Sequence, residues 1–90
     1  MTTKCIFDIT ALMFDYYQKG RDYIAVGDFA AAEQAFLHAT ALYNTKKELL
    51  VAIPEAKALF QNSCEALGFI CAQLGDIDKY HFWQDQFYSA

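Results

Sequence analysis

Proline and glycine are scarce in this chain, which has one proline and four glycines among 90 residues. It also lacks the alternating apolar and polar runs, bounded by turn residues, that predict β-strands. With few helix breakers and no strand pattern, the chain has to be built mainly from helices. We therefore predict an all-α fold, in one domain over residues 1–90, since this length suffices for one hydrophobic core.

Basic charge is scarce too, because seven basic and eleven acidic residues leave a net charge of −4, which disfavours nucleic acid and anionic membranes as partners. The odd set Cys5, Cys64 and Cys71 has no C-x-x-C spacing, so neither a disulfide framework nor a zinc site is expected. Asp8 and Asp15 interrupt the first apolar run, and no run approaches the roughly 18 residues of a membrane span. We expect a cytoplasmic protein without an export signal.

Apolar residues are abundant by contrast. They make up 56% of the chain, and aromatic residues alone make up 17%. A domain of this size buries only about 60 to 65% of the surface that its unfolded chain exposes. We therefore expect part of the apolar surface to be covered by another protein.

The first half of the chain predicts a helical hairpin over about residues 4–44. Apolar residues recur every three or four positions along residues 4–26, which places them on one face of a long helix. Gly27 can adopt the left-handed conformation that ends a helix. The Asp28 carboxylate can accept hydrogen bonds from the first amides of a second helix, predicted over residues 29–43.

A second hairpin is predicted over about residues 54–88, after a linker or short helix at residues 45–53. Thr45-Lys46-Lys47-Glu48 has the spacing of a capping box, which predicts that a helix starts there. Pro54 lacks an amide donor and crowds the preceding turn, so it either kinks one helix or separates two.

The two hairpins look like two copies of one unit. A shift of 48 positions aligns Gly20 with Gly68, and Gly27-Asp28 with Gly75-Asp76. A helix pair cannot bury its apolar side alone, so stacked pairs share a core. We predict two stacked antiparallel helical hairpins with four to five helices in all.

The first unit resembles the tetratricopeptide repeat, whose motif places an aromatic, a Leu-Gly pair and a Tyr on one helix, a Gly-Asp turn, and small and aromatic residues on the next. The matching residues are Tyr16, Gly20, Tyr23, Gly27, Asp28, Phe29, Ala32, Phe36, Ala39 and Leu42. Lys19 and Asn44 depart from the motif. The second unit matches at Leu67-Gly68 and Gly75-Asp76-Ile77. It departs from the motif where Cys64 and Cys71 replace aromatics, Tyr80 replaces an Ala and Gln84 replaces an aromatic. The offset of 48 also exceeds the family's repeat of about 34 residues.

The resemblance implies a groove, lined by the first helix of each pair, that binds a peptide or helix of a partner. The positions that it assigns to this groove are Phe14, Tyr17, Arg21 and Ile24 in the first unit, and Asn62, Glu65, Phe69 and Gln73 in the second. Tyr17, Ile24 and Phe69 are equally compatible with ordinary core. Arg21 suits a partner carboxylate, or else pairs with Asp22 or Glu65 on its own surface.

Phe82 and Trp83 predict a second contact surface on the last helix. Adjacent helical residues point about 100° apart, so both rings cannot easily face one small core. At least one is expected to be exposed or covered by a partner.

These observations predict an adaptor or chaperone that binds an amphipathic helix of another protein, and no enzyme. The size, acidity and aromatic content are similar to those of small co-chaperones for type III secretion needle subunits. The alternative is a structural homodimer, or a regulatory subunit of a larger complex, that docks through the aromatic last helix. His38 and His81 have no nucleophile motif beside them, and no cofactor or metal is expected.

Overall fold

The fold is all-α, as predicted, and consists of five helices that form two antiparallel hairpins. A computed structural model describes the backbone of residues 2–89 and the side chains of residues 8–89, so the side chain of Cys5 lies outside the described part. The helices are α1 (Thr2–Ala25), α2 (Phe29–Thr45), α3 (Lys47–Leu50), α4 (Pro54–Gln73) and α5 (Ile77–Ser89).

Both hairpin turns have the geometry that the Gly-Asp pairs predict. Gly27 and Gly75 each adopt a φ of 81°, a conformation that a side chain would strain. After Gly27, the amide of Asp28 donates to the Tyr23 carbonyl at 2.9 Å, which closes the end of α1. The Asp28 carboxylate then accepts a hydrogen bond from the Ala31 amide at 3.1 Å and caps α2.

The predicted capping box at Thr45 is wrong. Thr45 is the last residue of α2, and its hydroxyl donates to the Ala41 carbonyl at 2.8 Å instead of capping a new helix. The short helix α3 begins two residues later, after Lys46, which makes no side-chain capping bond. A Thr hydroxyl can satisfy a carbonyl one turn back as readily as an amide ahead of it, and here the helix behind it continues.

Pro54 separates two helices, which decides between the alternatives that the sequence left open. It occupies the first turn of α4, where the missing amide has no partner to lose. Ile53 before it is extended, at φ −105° and ψ 109°, as a residue preceding proline prefers to be.

The two hairpins stack through α2 and α4, and α1 also touches α4. One buried cluster lies towards the linker and contains Met13, Tyr43, Leu50, Ala56, Phe60 and Cys64. The other lies towards the Gly-Asp turns and contains Ala32, Phe36, Leu67 and Ile70. Trp83 of α5 packs against both clusters and so joins the second hairpin to the shared core.

Close packing of α1 on α2 depends on Gly20. A Cβ atom at this position would lie 2.6 Å from the ring of Phe36, which is fully buried. The phenyl ring therefore fills the space that the missing side chain leaves.

Candidate protein-binding surfaces

The groove residues predicted on α1 form a line along one side of that helix. Phe14 and Arg21 are exposed, whereas Tyr17 and Ile24 are half-buried against the cluster around Phe36. The Tyr17 ring meets Phe36 edge to face at 5.7 Å between centroids. The two alternatives for these positions, groove lining and ordinary core, therefore both apply in part. Tyr17 and Ile24 contribute to the core and are still partly exposed to solvent.

Arg21 is held by an aromatic ring and not by an acid. Its guanidinium carbon lies 5.9 Å from the centroid of Tyr17. Within residues 8–89 the one ion pair joins Lys79 and Asp76, at 3.9 Å, so the alternative in which Arg21 pairs with Asp22 or Glu65 is not the one observed. The contact with Tyr17 orients the Arg21 guanidinium.

The groove residues predicted on α4 are exposed, and one of them, Phe69, contacts the first hairpin. The Phe69 ring contacts Phe29 of α2 at 6.1 Å between centroids. Gln73, Asn62 and Glu65 are exposed. Ala66 of the same helix packs on the cluster that also holds Tyr17 and Ile24. The two predicted lines thus border a common part of the core.

Phe82 and Trp83 do not share a surface. Trp83 is half-buried and packs on both clusters, whereas Phe82 is 52% exposed. Their rings touch edge to face, at 4.8 Å between centroids. The prediction that at least one of them is exposed is confirmed, and Phe82 is that residue. Both lie on α5, which packs on α4 and does not carry the groove residues.

A cavity of about 140 Å³ lies between α4 and α5. The residues that line it are Cys64, Glu65, Gly68, Tyr80, Trp83, Gln84, Phe87 and Tyr88. Trp83 and Glu65 among them belong to the predicted surfaces. A signal for the cavity was present in the sequence, since Cys64, Tyr80 and Gln84 are positions at which the second unit departs from the small and aromatic residues of the first.

The polar groups in this cavity are few. The Gln84 side-chain amide donates to the Tyr80 hydroxyl at 3.0 Å, which satisfies both groups within α5. Burial raises the pKa of the Cys64 thiol to about 12, so the thiol stays protonated and unreactive at neutral pH. The Glu65 carboxylate is exposed at the rim.

Both histidines contact tyrosine rings. His38 is exposed and stacks on Tyr16 at 4.9 Å, and His81 is exposed and touches Tyr80 at 5.5 Å. Over the part of the chain that the structure describes, no three His, Cys, Asp or Glu residues are grouped so that they could hold a metal ion. None of the described helices is long and apolar enough to cross a bilayer.

Comparison of the chain with protein-family models, with curated proteins and with solved structures finds no significant match.

Proposed function

We propose that this protein is an adaptor or chaperone that binds an amphipathic helix or peptide of another protein across α1 and α4. The observation that carries the proposal is the amount of exposed apolar surface. Large hydrophobic side chains are exposed at Leu12, Phe14, Tyr23, Val26, Leu49, Val51, Phe69, Leu74, Ile77, Phe82 and Tyr88. A small domain with this much uncovered apolar surface gains stability and solubility from a partner.

The α1 line has the dimensions of a helix-binding site. Its residues 14, 17, 21 and 24 follow helical spacing, and residues 14 and 24 are ten positions apart, which corresponds to about 15 Å along the axis. An amphipathic helix of about three turns presents anchors at the matching i, i+3, i+4 and i+7 positions. Phe14 and Phe69 provide exposed apolar contacts on the two helices, and Tyr17 and Ile24 of α1 are half-buried.

Arg21 suggests the polar part of the recognition. Arg21 is exposed, its guanidinium is steadied over Tyr17, and it makes no ion pair within residues 8–89. A carboxylate on the partner helix would complete its hydrogen bonding. The resemblance to the tetratricopeptide repeat supports the same mode of binding. We extend the proposal to a cytoplasmic location and to a needle-subunit co-chaperone of type III secretion as its specific form.

The second candidate is a homodimer or a larger complex held together through α5. It is favoured by the exposure of Ile77, Phe82 and Tyr88 on that helix, and by the fact that no side chain between Ile77 and Ser89 is fully buried. Light scattering of the purified chain separates the two candidates. A stable homodimer supports the second, and a chain that aggregates unless one partner is co-expressed supports the first.

Purification from the native cell, followed by mass spectrometry, identifies the bound partner, and charge substitutions then test the groove. Phe14→Glu and Arg21→Glu are expected to weaken binding by about 2 kcal/mol, roughly 30-fold, because each removes a contact of the kind that dominates interfaces. Leu12→Glu is the matched control, since Leu12 lies on α1, points away from the line and is 44% exposed, against 48% for Phe14. Circular dichroism confirms equal folding.

Equal binding by Phe14→Glu and Leu12→Glu would mean that the partner does not contact this side of α1. In that case the site would have to be sought on α5.

A further inference from the structure

The two hairpins differ in how the glycine on the first helix of each one is packed. In the first, Gly20 faces Phe36, and the ring atoms lie 2.6 to 2.8 Å from the position that a Cβ would occupy. The repeat places Gly68 and Gln84 at the corresponding positions of the second hairpin. There the nearest atoms to such a Cβ belong to Tyr80 at 3.7 Å and to Trp83 at 3.9 Å.

The missing ring leaves space. The cavity of about 140 Å³ between α4 and α5 lies beside Gly68, on the side that Phe36 fills in the first hairpin. Gln84 lines this space, and its side-chain amide is bonded to the hydroxyl of Tyr80, another lining residue, at 3.0 Å. An engineered apolar cavity of about 150 Å³ in another protein binds benzene, so this one is large enough for one phenyl ring.

The walls of the cavity suit an aromatic guest. Four rings, those of Tyr80, Trp83, Phe87 and Tyr88, line it. Aromatic pairs gain about 0.5 to 1.5 kcal/mol beyond their buried area when they meet edge to face or offset. The Glu65 carboxylate is exposed at the rim, and a basic group next to the guest ring would complement it.

We propose that this pocket binds a single aromatic side chain of a partner polypeptide, with a lysine or arginine beside it. The inference rests on the proposed role in protein binding and adds a contact point outside the α1–α4 groove. A polypeptide suits the surroundings better than a free small molecule does. Ile77, 57% exposed, and Tyr88, 78% exposed, lie on the same side of α5 as Gln84 and extend the apolar surface beyond the pocket.

Titration with N-acetyl-phenylalaninamide tests the pocket. Trp83 is the only tryptophan of the chain, so its fluorescence reports directly on the site. Amide chemical shifts in nuclear magnetic resonance spectra show which other residues respond. We expect saturable changes at Trp83, Gly68 and Gln84, and none with N-acetyl-alaninamide. N-acetyl-Phe-Lys-amide is expected to bind up to about fivefold more tightly than N-acetyl-Phe-Glu-amide, as an exposed ion pair allows.

Gln84→Phe tests the assignment from inside the protein. The new ring is expected to fill the cavity as Phe36 does in the first hairpin, to raise the melting temperature and to weaken binding of the probe at least tenfold. Gln34→Phe places the same side chain at an exposed position of α2 outside the pocket and is expected to bind like the wild type. Gly68→Leu fills the pocket from α4 and provides a second blocking variant if Gln84→Phe fails to fold.

Absence of saturable binding, or binding that both blocking variants retain, would overturn the proposal. So would a pocket that takes free toluene but rejects the capped phenylalanine. Shifts at Tyr17 and Phe69 in place of Gly68 would place the ring in the groove, which refutes the pocket and leaves the proposed function intact. Conversely, Phe14→Glu is expected to leave binding of the capped phenylalanine unchanged. The experiment therefore distinguishes a wrong assignment of the groove from a wrong assignment of the pocket.

Discussion

Replacing either repeat glycine with alanine is expected to have opposite effects in the two hairpins. Alanine favours a helix over glycine by about 1 kcal/mol in both places. At Gly20 the added methyl group would lie 2.6 Å from the Phe36 ring, whereas comfortable carbon contacts lie at about 3.5 to 4.0 Å. At Gly68 the nearest atom is 3.7 Å away, which is ordinary contact.

The magnitude follows from how far Phe36 can move. Its ring is fully buried and is held by the edge of Tyr17 at 5.7 Å, so it cannot rotate out into solvent. Overpacking of this kind costs about 1 to 3 kcal/mol. After the helix preference is subtracted, Gly20→Ala is expected to lower the free energy of unfolding by up to about 2 kcal/mol. Gly68→Ala is expected to raise it by about 0.5 to 1 kcal/mol.

Urea denaturation followed by circular dichroism measures both variants. In thermal scans of a domain this small, each kcal/mol corresponds to about 4 to 8 °C. Phe36→Leu in the Gly20→Ala background is expected to recover part of the loss, with a coupling of at least about 0.5 kcal/mol in a double-mutant cycle. If the two alanine variants were equally stable, Phe36 would not be seated against Gly20. The contrast between the hairpins, on which the aromatic pocket is argued, would then be lost.

Three further changes test single features of the fold. Asp28→Ala removes the carboxylate that caps α2 and is expected to cost about 1 kcal/mol in urea denaturation, whereas Asp28→Asn keeps most of that stability. Ser63→Ala is expected to stabilise the protein by about 1 kcal/mol, because the Ser63 hydroxyl is fully buried and finds no hydrogen-bond partner among the described residues; a loss of stability would show that it has one. Burial raises the pKa of the Cys64 thiol from 9.0 to about 12. The buried, protonated thiol therefore contributes its full share to the free energy of unfolding below pH 9. That share is lost as the pH rises from 9 towards 12, because the thiol of the unfolded chain loses its proton in this range while the folded one keeps it. Iodoacetamide at pH 8 is accordingly expected to label Cys64 only after denaturation, as peptide mapping by mass spectrometry measures, and rapid labelling of the folded chain would contradict that burial.

The helices and turns could be predicted because their causes lie within a few residues. The Gly27-Asp28 and Gly75-Asp76 pairs each end one helix and cap the next through bonds that reach no more than five residues. Thr45 shows where local reasoning fails. Its hydroxyl had a possible partner on either side, and the continuation of α2 selected the carbonyl of Ala41.

The spacing of the candidate site residues along the helices could be predicted, but their burial and their contacts could not. The resemblance located the α1 line, and helical spacing alone placed Phe14 and Arg21 on one side of α1. It could not show that Arg21 rests on Tyr17 and not on an acid, because that choice depends on rotamers set by packing. Nor could it place Trp83 in the core, since the clusters that Trp83 joins come from helices far apart in sequence.

By itself, the sequence determined that the chain is helical, where it turns, and that it consists of two related hairpins, because helix propensity, capping and periodicity act over short distances. Only the tertiary structure decided which apolar residues are buried and where space is left. The Phe36 ring fills the gap at Gly20, whereas Gln84 bonds to Tyr80 and leaves the gap beside Gly68 open. That difference depends on how side chains from two helices fit together in three dimensions, which no short stretch of sequence contains.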